Sequence, residues 1–298
     1  FSMPRSAGVL IVDSSWYEPD IHRHTLAHVF VLGEKSSKSD RAVFINKYSS
    51  AKDIYNEVVS LSPDVFRRAS QQRGTQVVAV SSAMGGIGKT AVALALSKCL
   101  AENYKRVLYL DAEEIQNFHF FLSDRSELPP GAVRIFSHAD SQMLQELTPY
   151  LKTESFSYIP PLSVALSSAG AETTVYLRLI EQAKASGAYD FVVVDSGSVL
   201  DAFQSQLYAA ADRVLLLTGQ DAYGAFQTRR YLANLNHRDA EKYLLVCNRF
   251  RKGIPNELVS AACTLPVTEY IEAQTAENCG LQELSKADGL RKLSYMLT

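Results

Sequence analysis

The chain has 298 residues, 47% of them hydrophobic and 21% charged. That balance excludes a largely disordered polypeptide, and the length suggests about two domains. Its 30 Lys+Arg and 32 Asp+Glu leave a formal net charge of −2, which argues against a protein held to nucleic acid by bulk charge.

Near the start there is no basic segment followed by an apolar one, so no secretory signal is read. Three continuous apolar runs come first: Gly8–Val12 ending in Asp13, His28–Leu32, and Ala42–Ile45. Such runs predict strands buried on both faces, hence parallel α/β layers. Ser50 and Asp53 form a capping-box pattern. It opens a predicted helix over Ala51–Leu61, with Ile54, Val58 and Leu61 as its buried stripe. His22 and His24 have no third ligand nearby and read as loop histidines. The polar stretch Arg67–Gly74 separates this short segment from a longer one. The predicted domains are therefore 1–72 and 73–298.

The longer segment has a stronger rhythm. Strands are predicted at Gln76–Val80, Arg106–Leu110, Phe191–Val194, Arg213–Leu217 and Tyr243–Val246. Helices are predicted at Thr90–Glu102, Thr174–Ala185 and Ala225–Leu235. Strands alternating with helices predict an α/β fold, a parallel sheet covered by helices on both faces. Ligands of such sheets sit beyond the carboxyl ends of the strands. No apolar run approaches the roughly 20 residues that span a bilayer. Cys99, Cys247, Cys263 and Cys279 are widely spaced and form no C-x-x-C pair. They read as packing thiols in a reducing cytoplasm.

The central motif is Gly85-Gly86-Ile87-Gly88-Lys89-Thr90, followed by Ala91 and placed between a strand and a helix. Glycines let the backbone wrap so that successive N–H groups point at phosphate oxygens. The helix that follows adds the positive end of its dipole. Lys89 can reach the outer phosphates, and the Thr90 hydroxyl can ligate Mg²⁺. The order of strand, glycine turn, G-K-T and helix reads as a nucleotide loop binding ATP with Mg²⁺.

Ala83 replaces the usual first glycine of such loops, and Gly85-Gly86 are paired. The string resembles the deviant P-loop of the MinD/ParA family of ATPases, a resemblance running from about Gly74 to the end of the chain. It implies a P-loop NTPase fold, ATP and Mg²⁺ as cofactors, and an ATP-dependent homodimer. It further implies that Asp111 and Glu113 (LYLDAEE) lie near the phosphates and position the attacking water, with Glu113 in place of a second aspartate. Asp195 in VVVDSGS matches the acid that orients the metal. Asn248-Arg249 matches the pair beside the adenine, where an amide can meet a purine edge and a guanidinium can stack. Pro266 and TEYIEA resemble the loop closing over the base. Met84 stands where the family carries its signature lysine, which reaches across the dimer. An uncharged side chain cannot neutralise charge there, so ATP is expected to bind well and turn over slowly.

The first segment resembles the latter half of a response-regulator receiver domain, with Asp13 and Lys47 at the phosphoacceptor and lysine positions. The first half of a receiver is not visible, so an atypical module is expected, and Asp13 reads more readily as a cap than as a phosphoacceptor. A receiver-like module ahead of a deviant-loop ATPase resembles the TadZ/CpaE proteins of Flp/Tad pilus assembly. The leading expectation is a nucleotide-switched cytoplasmic dimer that organises a pilus or secretion apparatus, with recruitment to the cell pole or inner membrane face. The alternatives are a ParA-like ATPase on DNA, a MinD- or FlhG-like regulator at the membrane, and a biosynthetic phosphotransferase. Arg229-Arg230, Arg249-Arg251-Lys252 and Arg291-Lys292 are the candidate basic surface for DNA, although no specific nucleic acid is expected. In GLRKLSYMLT the stripe Leu290, Leu293 and Leu297 either packs on the domain or lies on a membrane.

Overall fold

The computed structural model describes residues 6–18, 25–34, 37–38, 42–49, 54, 57–58, 61–62, 74–138, 142–235, 240–260, 265–274 and 280–298. It divides into two compact units, Phe1–Gly74 and Thr75–Thr298. His22, His24, the capping-box residues Ser50 and Asp53, Cys263 and Cys279 lie outside the described residues.

In the first unit, β1 (Ser6–Asp13), β2 (Thr25–Gly33), β3 (Ser37–Lys38) and β4 (Val43–Asn46) form a sheet of order β1-β2-β4-β3. The pairs β1–β2 and β2–β4 are parallel, and β3 runs antiparallel to β4. Successive residues of β2 serve opposite faces, as the strand period requires. Phe30 joins Ile45 and Val58 in one cluster, while Val29 and Val31 join Ala42 in another. Ile54, Glu57, Val58 and Leu61 are helical. The expectation that Gly8–Val12 is buried on both faces fails: Ile11 is 48% exposed. Among the described strands only β2 pairs with β1, so this strand ends the sheet, and its residues Val9, Leu10 and Val12 are only partly buried.

The second unit is built on β5 (Gln76–Ser82), β6 (Val107–Asp111), β7 (Lys152–Thr153), β8 (Ser157–Tyr158), β9 (Phe191–Asp195), β10 (Arg213–Thr218), β11 (Tyr243–Phe250) and β12 (Val267–Glu272). Their order is β12-β11-β10-β5-β9-β6-β8-β7. All neighbours are parallel except β7, which runs antiparallel to β8. Strands β6 and β9 are buried throughout, and β5 is buried after its first residue. This is the pattern of strands covered on both faces.

The helices are α1 (Lys89–Glu102), α2 (Pro130–His138), α3 (Met143–Leu147), α4 (Val175–Ser186), α5 (Ala202–Ala210), α6 (Ala222–Ala233), α7 (Glu257–Ser260), α8 (Leu281–Leu284) and α9 (Asp288–Leu297). Val78 and Val80 of β5 pack with α1 and α9, and Val77 and Ala79 pack with α4 and α5. Leu290, Leu293 and Leu297 of α9 are buried, against α1 and β12. Of the two readings for that stripe, packing on the domain is the one observed. A Cβ on Gly289 would come within 2.3 Å of the Tyr270 backbone carbonyl, so glycine is what lets α9 approach β12 this closely.

Candidate nucleotide site

Five elements end around one cleft of about 920 Å³. Strand β5 leads into the glycine turn and α1, β6 delivers Asp111 and Glu113, the turn after β9 delivers Ser198 while Asp195 stays buried behind the wall, and β11 and β12 close the far side. All five present their carboxyl ends, where an open parallel sheet offers free loops.

The turn is glycine-dependent at a specific place. Gly88 has φ 94°, and a Cβ there would stand 2.8 Å from Asn248 Nδ2. That same Nδ2 donates to the Ile87 carbonyl at 2.7 Å. Asn248 therefore ties β11 to the loop itself, on top of any part at the base. Gly85, Gly86, Gly88, Lys89, Thr90 and Ala91 line the cleft. Ile87 turns its side chain into the core and contributes backbone only. Met84 is half-buried against the same core cluster, and its carbonyl accepts from the Ser82 hydroxyl.

Lys89 is buried at the head of α1. Its Nζ donates to Ser198 Oγ at 3.0 Å and lies 3.5 Å from Glu113 Oε1. Asp111 and Asp195 sit directly opposite one another in the β6–β9 register. They are 5% and 0% exposed. Burial pushes the Asp195 carboxyl up to about 7. Glu113 adds to the rise, while Thr90, Lys89 and Tyr109 oppose it. Burial first and the Asp195 charge second raise Asp111 well above the usual carboxylate range. Two acids in this position call for a cation. Asp195 Oδ2 accepts from Tyr109 at 3.3 Å, and Oδ1 is buried with no hydrogen-bond partner among the described residues. These residues fit Mg²⁺. Among the described residues no group of three or more His, Cys, Asp or Glu could hold a metal alone. The ion would therefore draw on Thr90, the Asp195 side and the phosphates together.

Sequence reading missed several contributors. Gln116 donates to the Asp111 carbonyl at 2.7 Å and accepts from Leu162 N at 2.9 Å, fixing the segment that carries Glu113. Gln204 donates at 2.9 Å to both Ser81 and Ser196, joining the end of β5 to the turn after Asp195. Ser198 could have been found, three residues past Asp195 in DSGS. The two glutamines give no local signal, because their partners are far away in sequence. TEYIE is a strand, β12, rather than a loop over the base; only its end, Glu272 with Ala273 and Gln274, reaches the cleft. It pairs with β11 along its backbone and packs against α9, and those contacts outweigh the family pattern. Of the basic groups, Lys252 pairs with Glu272 at 2.6 Å and Lys292 lies 3.8 Å from Glu269. The candidate basic surface is thus partly neutralised.

A strand, a glycine turn wrapped on a helix N-terminus, a buried lysine and two opposed carboxylates define a P-loop nucleoside triphosphatase. The AAA domain family (AAA_31) matches residues 75–238, more than half of the chain, and the protein belongs to that family. The septum site-determining protein MinD of Synechocystis sp. is 23% identical over 177 residues, 59% of this chain and 65% of that protein. The chain thus spans just under two thirds of that relative. A ParA family ATPase from Chlorobium tepidum matches in structure with a TM-score of 0.62 at 16% identity, over 76% of this chain and 99% of that one. MinD of Pyrococcus horikoshii, solved with Mg-ADP, matches with a TM-score of 0.59 at 19% identity, over 75% and 96%. The fold is that of a MinD/ParA-type P-loop ATPase.

Proposed function

We propose that this chain is a positioning ATPase of the MinD/ParA type, a homodimer switched by ATP and Mg²⁺ that hydrolyses slowly. The observation that carries the reading is the coincidence of the loop, Lys89, Asp111 and Glu113 at one cleft, with Asp195 buried beside Asp111 behind its wall. When bound, Mg²⁺ would neutralise phosphate charge. Lys89 would leave Glu113 and Ser198 for the outer phosphates, freeing Glu113 to orient water. A switch needs different affinities in its two states, and a nucleotide at a subunit interface supplies that difference. Light scattering of the full chain should report a dimer with ATP and a monomer with ADP. The same state with both nucleotides would remove the switch.

Slow turnover rests on Met84, whose packed, uncharged side chain supplies no cation at the loop. Restoring Met84→Lys should raise steady-state hydrolysis by about tenfold or more. Equal rates in the two proteins would end the argument from this position.

The finer reading is that the apparatus organised is a Flp/Tad-type pilus assembly. It is supported by the first unit, in which β1, β2 and β4 lie parallel and in order with Asp13 and Lys47 at their carboxyl ends. Asp13 accepts from Ser15 N at 2.9 Å and Ser15 Oγ at 2.7 Å, so it serves as a cap in this atypical receiver-like module. No described helix is long and apolar enough to cross a membrane. A fluorescent fusion in a piliated host should form pilus-associated foci; diffuse signal with normal pili would refute the pilus role and leave the ATPase reading standing.

A further inference from the structure

Gln220 lies between β10 and α6, is 7% exposed, and has no part in the roles described so far. Its Oε1 accepts from the Arg251 backbone N–H at 2.6 Å, and its Nε2 lies 3.2 Å from the Arg251 carbonyl. That Nε2 is also 3.1 Å from the Ile254 carbonyl and 3.4 Å from the Pro255 carbonyl. A single amide therefore holds both ends of the turn 251–255. Its own backbone carbonyl accepts from Glu257 N at 2.9 Å, which anchors it to the start of α7.

This turn needs a holder because the sheet ceases to support it. The β11–β12 pairing shifts register between Cys247 and Phe250, and Arg249 sits at φ 56°. A non-glycine residue in that region is strained, and it persists where its surroundings over-determine it. Arg249 and Arg251 both line the cleft, Arg249 with its guanidinium about 4 Å from where a Cβ on Gly88 would stand. Their guanidinium groups are suited to stacking on a base and to bonding ribose oxygens.

We propose that Gln220 is a positioning residue for nucleotide binding: by clamping the Arg251 backbone it presents Arg251, with Arg249, to the base and ribose. Arg251 becomes a nucleotide contact beyond the Asn248-Arg249 pair. The assignment rests on the reading of this cleft as the ATP site. Loss of the amide would leave the Arg251 N–H and three carbonyls to find other partners, and the turn would lose its single orientation.

The test is calorimetric titration of the full chain with MgATP and, in parallel, with inorganic tripolyphosphate, which engages only the phosphate end. Gln220→Met keeps the side-chain volume and removes the polar contacts. It should weaken ATP about tenfold, the loss of one to two net hydrogen bonds, and leave tripolyphosphate unchanged. Arg251→Ala, at an exposed position that does not threaten folding, should do the same. Wild-type ATP affinity in Arg251→Ala overturns the proposal. So does equal weakening of both ligands in a Gln220→Met protein that melts like the wild type. A wild-type chain that binds neither ligand overturns the cleft reading, and this inference with it.

Discussion

The two ends of the cleft are built by different means. At the phosphate end the lysine, the threonine and the two aspartates hang on the ends of regular elements. Lys89 and Thr90 open α1, Asp111 ends β6, and Asp195 ends β9. Strand register alone puts the two acids face to face. At the base end the groups ride on irregular backbone, with Arg249 at positive φ and Arg251 in a turn held by a distant amide. Regular elements place chemistry through local rules, whereas a loop places it through ties to other parts of the chain. The first kind of site tolerates little change in its own residues, and the second is exposed to changes elsewhere.

The contrast yields graded expectations. Lys89→Ala should be the most damaging change, lowering affinity for ATP and tripolyphosphate alike by about a hundredfold or more, since a charge-assisted contact to phosphate is lost. If tripolyphosphate survives that change, the phosphate end is misassigned. Gly88→Ala strikes a point where the ends meet. Its Cβ would collide with Asn248 Nδ2 and its φ of 94° would strain any side chain. It should cost about 1–3 kcal/mol in denaturant unfolding and weaken ATP more than tripolyphosphate. Equal weakening would show that the Asn248 tie does not couple the ends. The smallest effect concerns pH. Asp195 is raised to about 7, above its unfolded value, so the stability linked to its protonated form is lost as pH rises through about 7. Nucleotide-free protein should therefore melt lower at pH 8.5 than at pH 6, and Asp195→Asn should flatten that slope. Identical slopes would show that the acid pair carries no such linkage.

How far the sequence could be read follows the same division. The phosphate loop, Asp111 and Asp195 were visible because glycine spacing and strand-ending acids are local signals. Strands β5, β6, β9, β10 and β11 were visible for the same reason, as unbroken apolar runs, whereas the polar alternation of β12 passed for a loop. Strands β7 and β8, two residues each, are too short for any periodicity to register. GVLIV and FVVV look alike as strings, yet FVVV is wholly buried and GVLIV is half-exposed. Sheet order, which no single run encodes, decides between them. Gln116, Gln204 and Gln220 were illegible because an amide's role is set by partners folded beside it. The closing helix was ambiguous on its leucines alone; Gly289, with no room for a Cβ, decides that it docks.

That docking has a consequence for how the molecule is made. Ser294 on α9 accepts from Asn103 at the end of α1, a partner 191 residues earlier. Cys99 in α1 likewise reaches the Ser285 carbonyl, 186 residues later. The outer flank of the phosphate-binding helix thus waits for residues near 290 to leave the ribosome. During synthesis the glycine loop can form long before the helix behind it is covered. Contacts this far apart close slowly, and the bare apolar flank is open to association in the meantime. Nascent chains stalled before Asp288 should therefore engage chaperones, and chains extended far enough to expose α9 outside the ribosome should not.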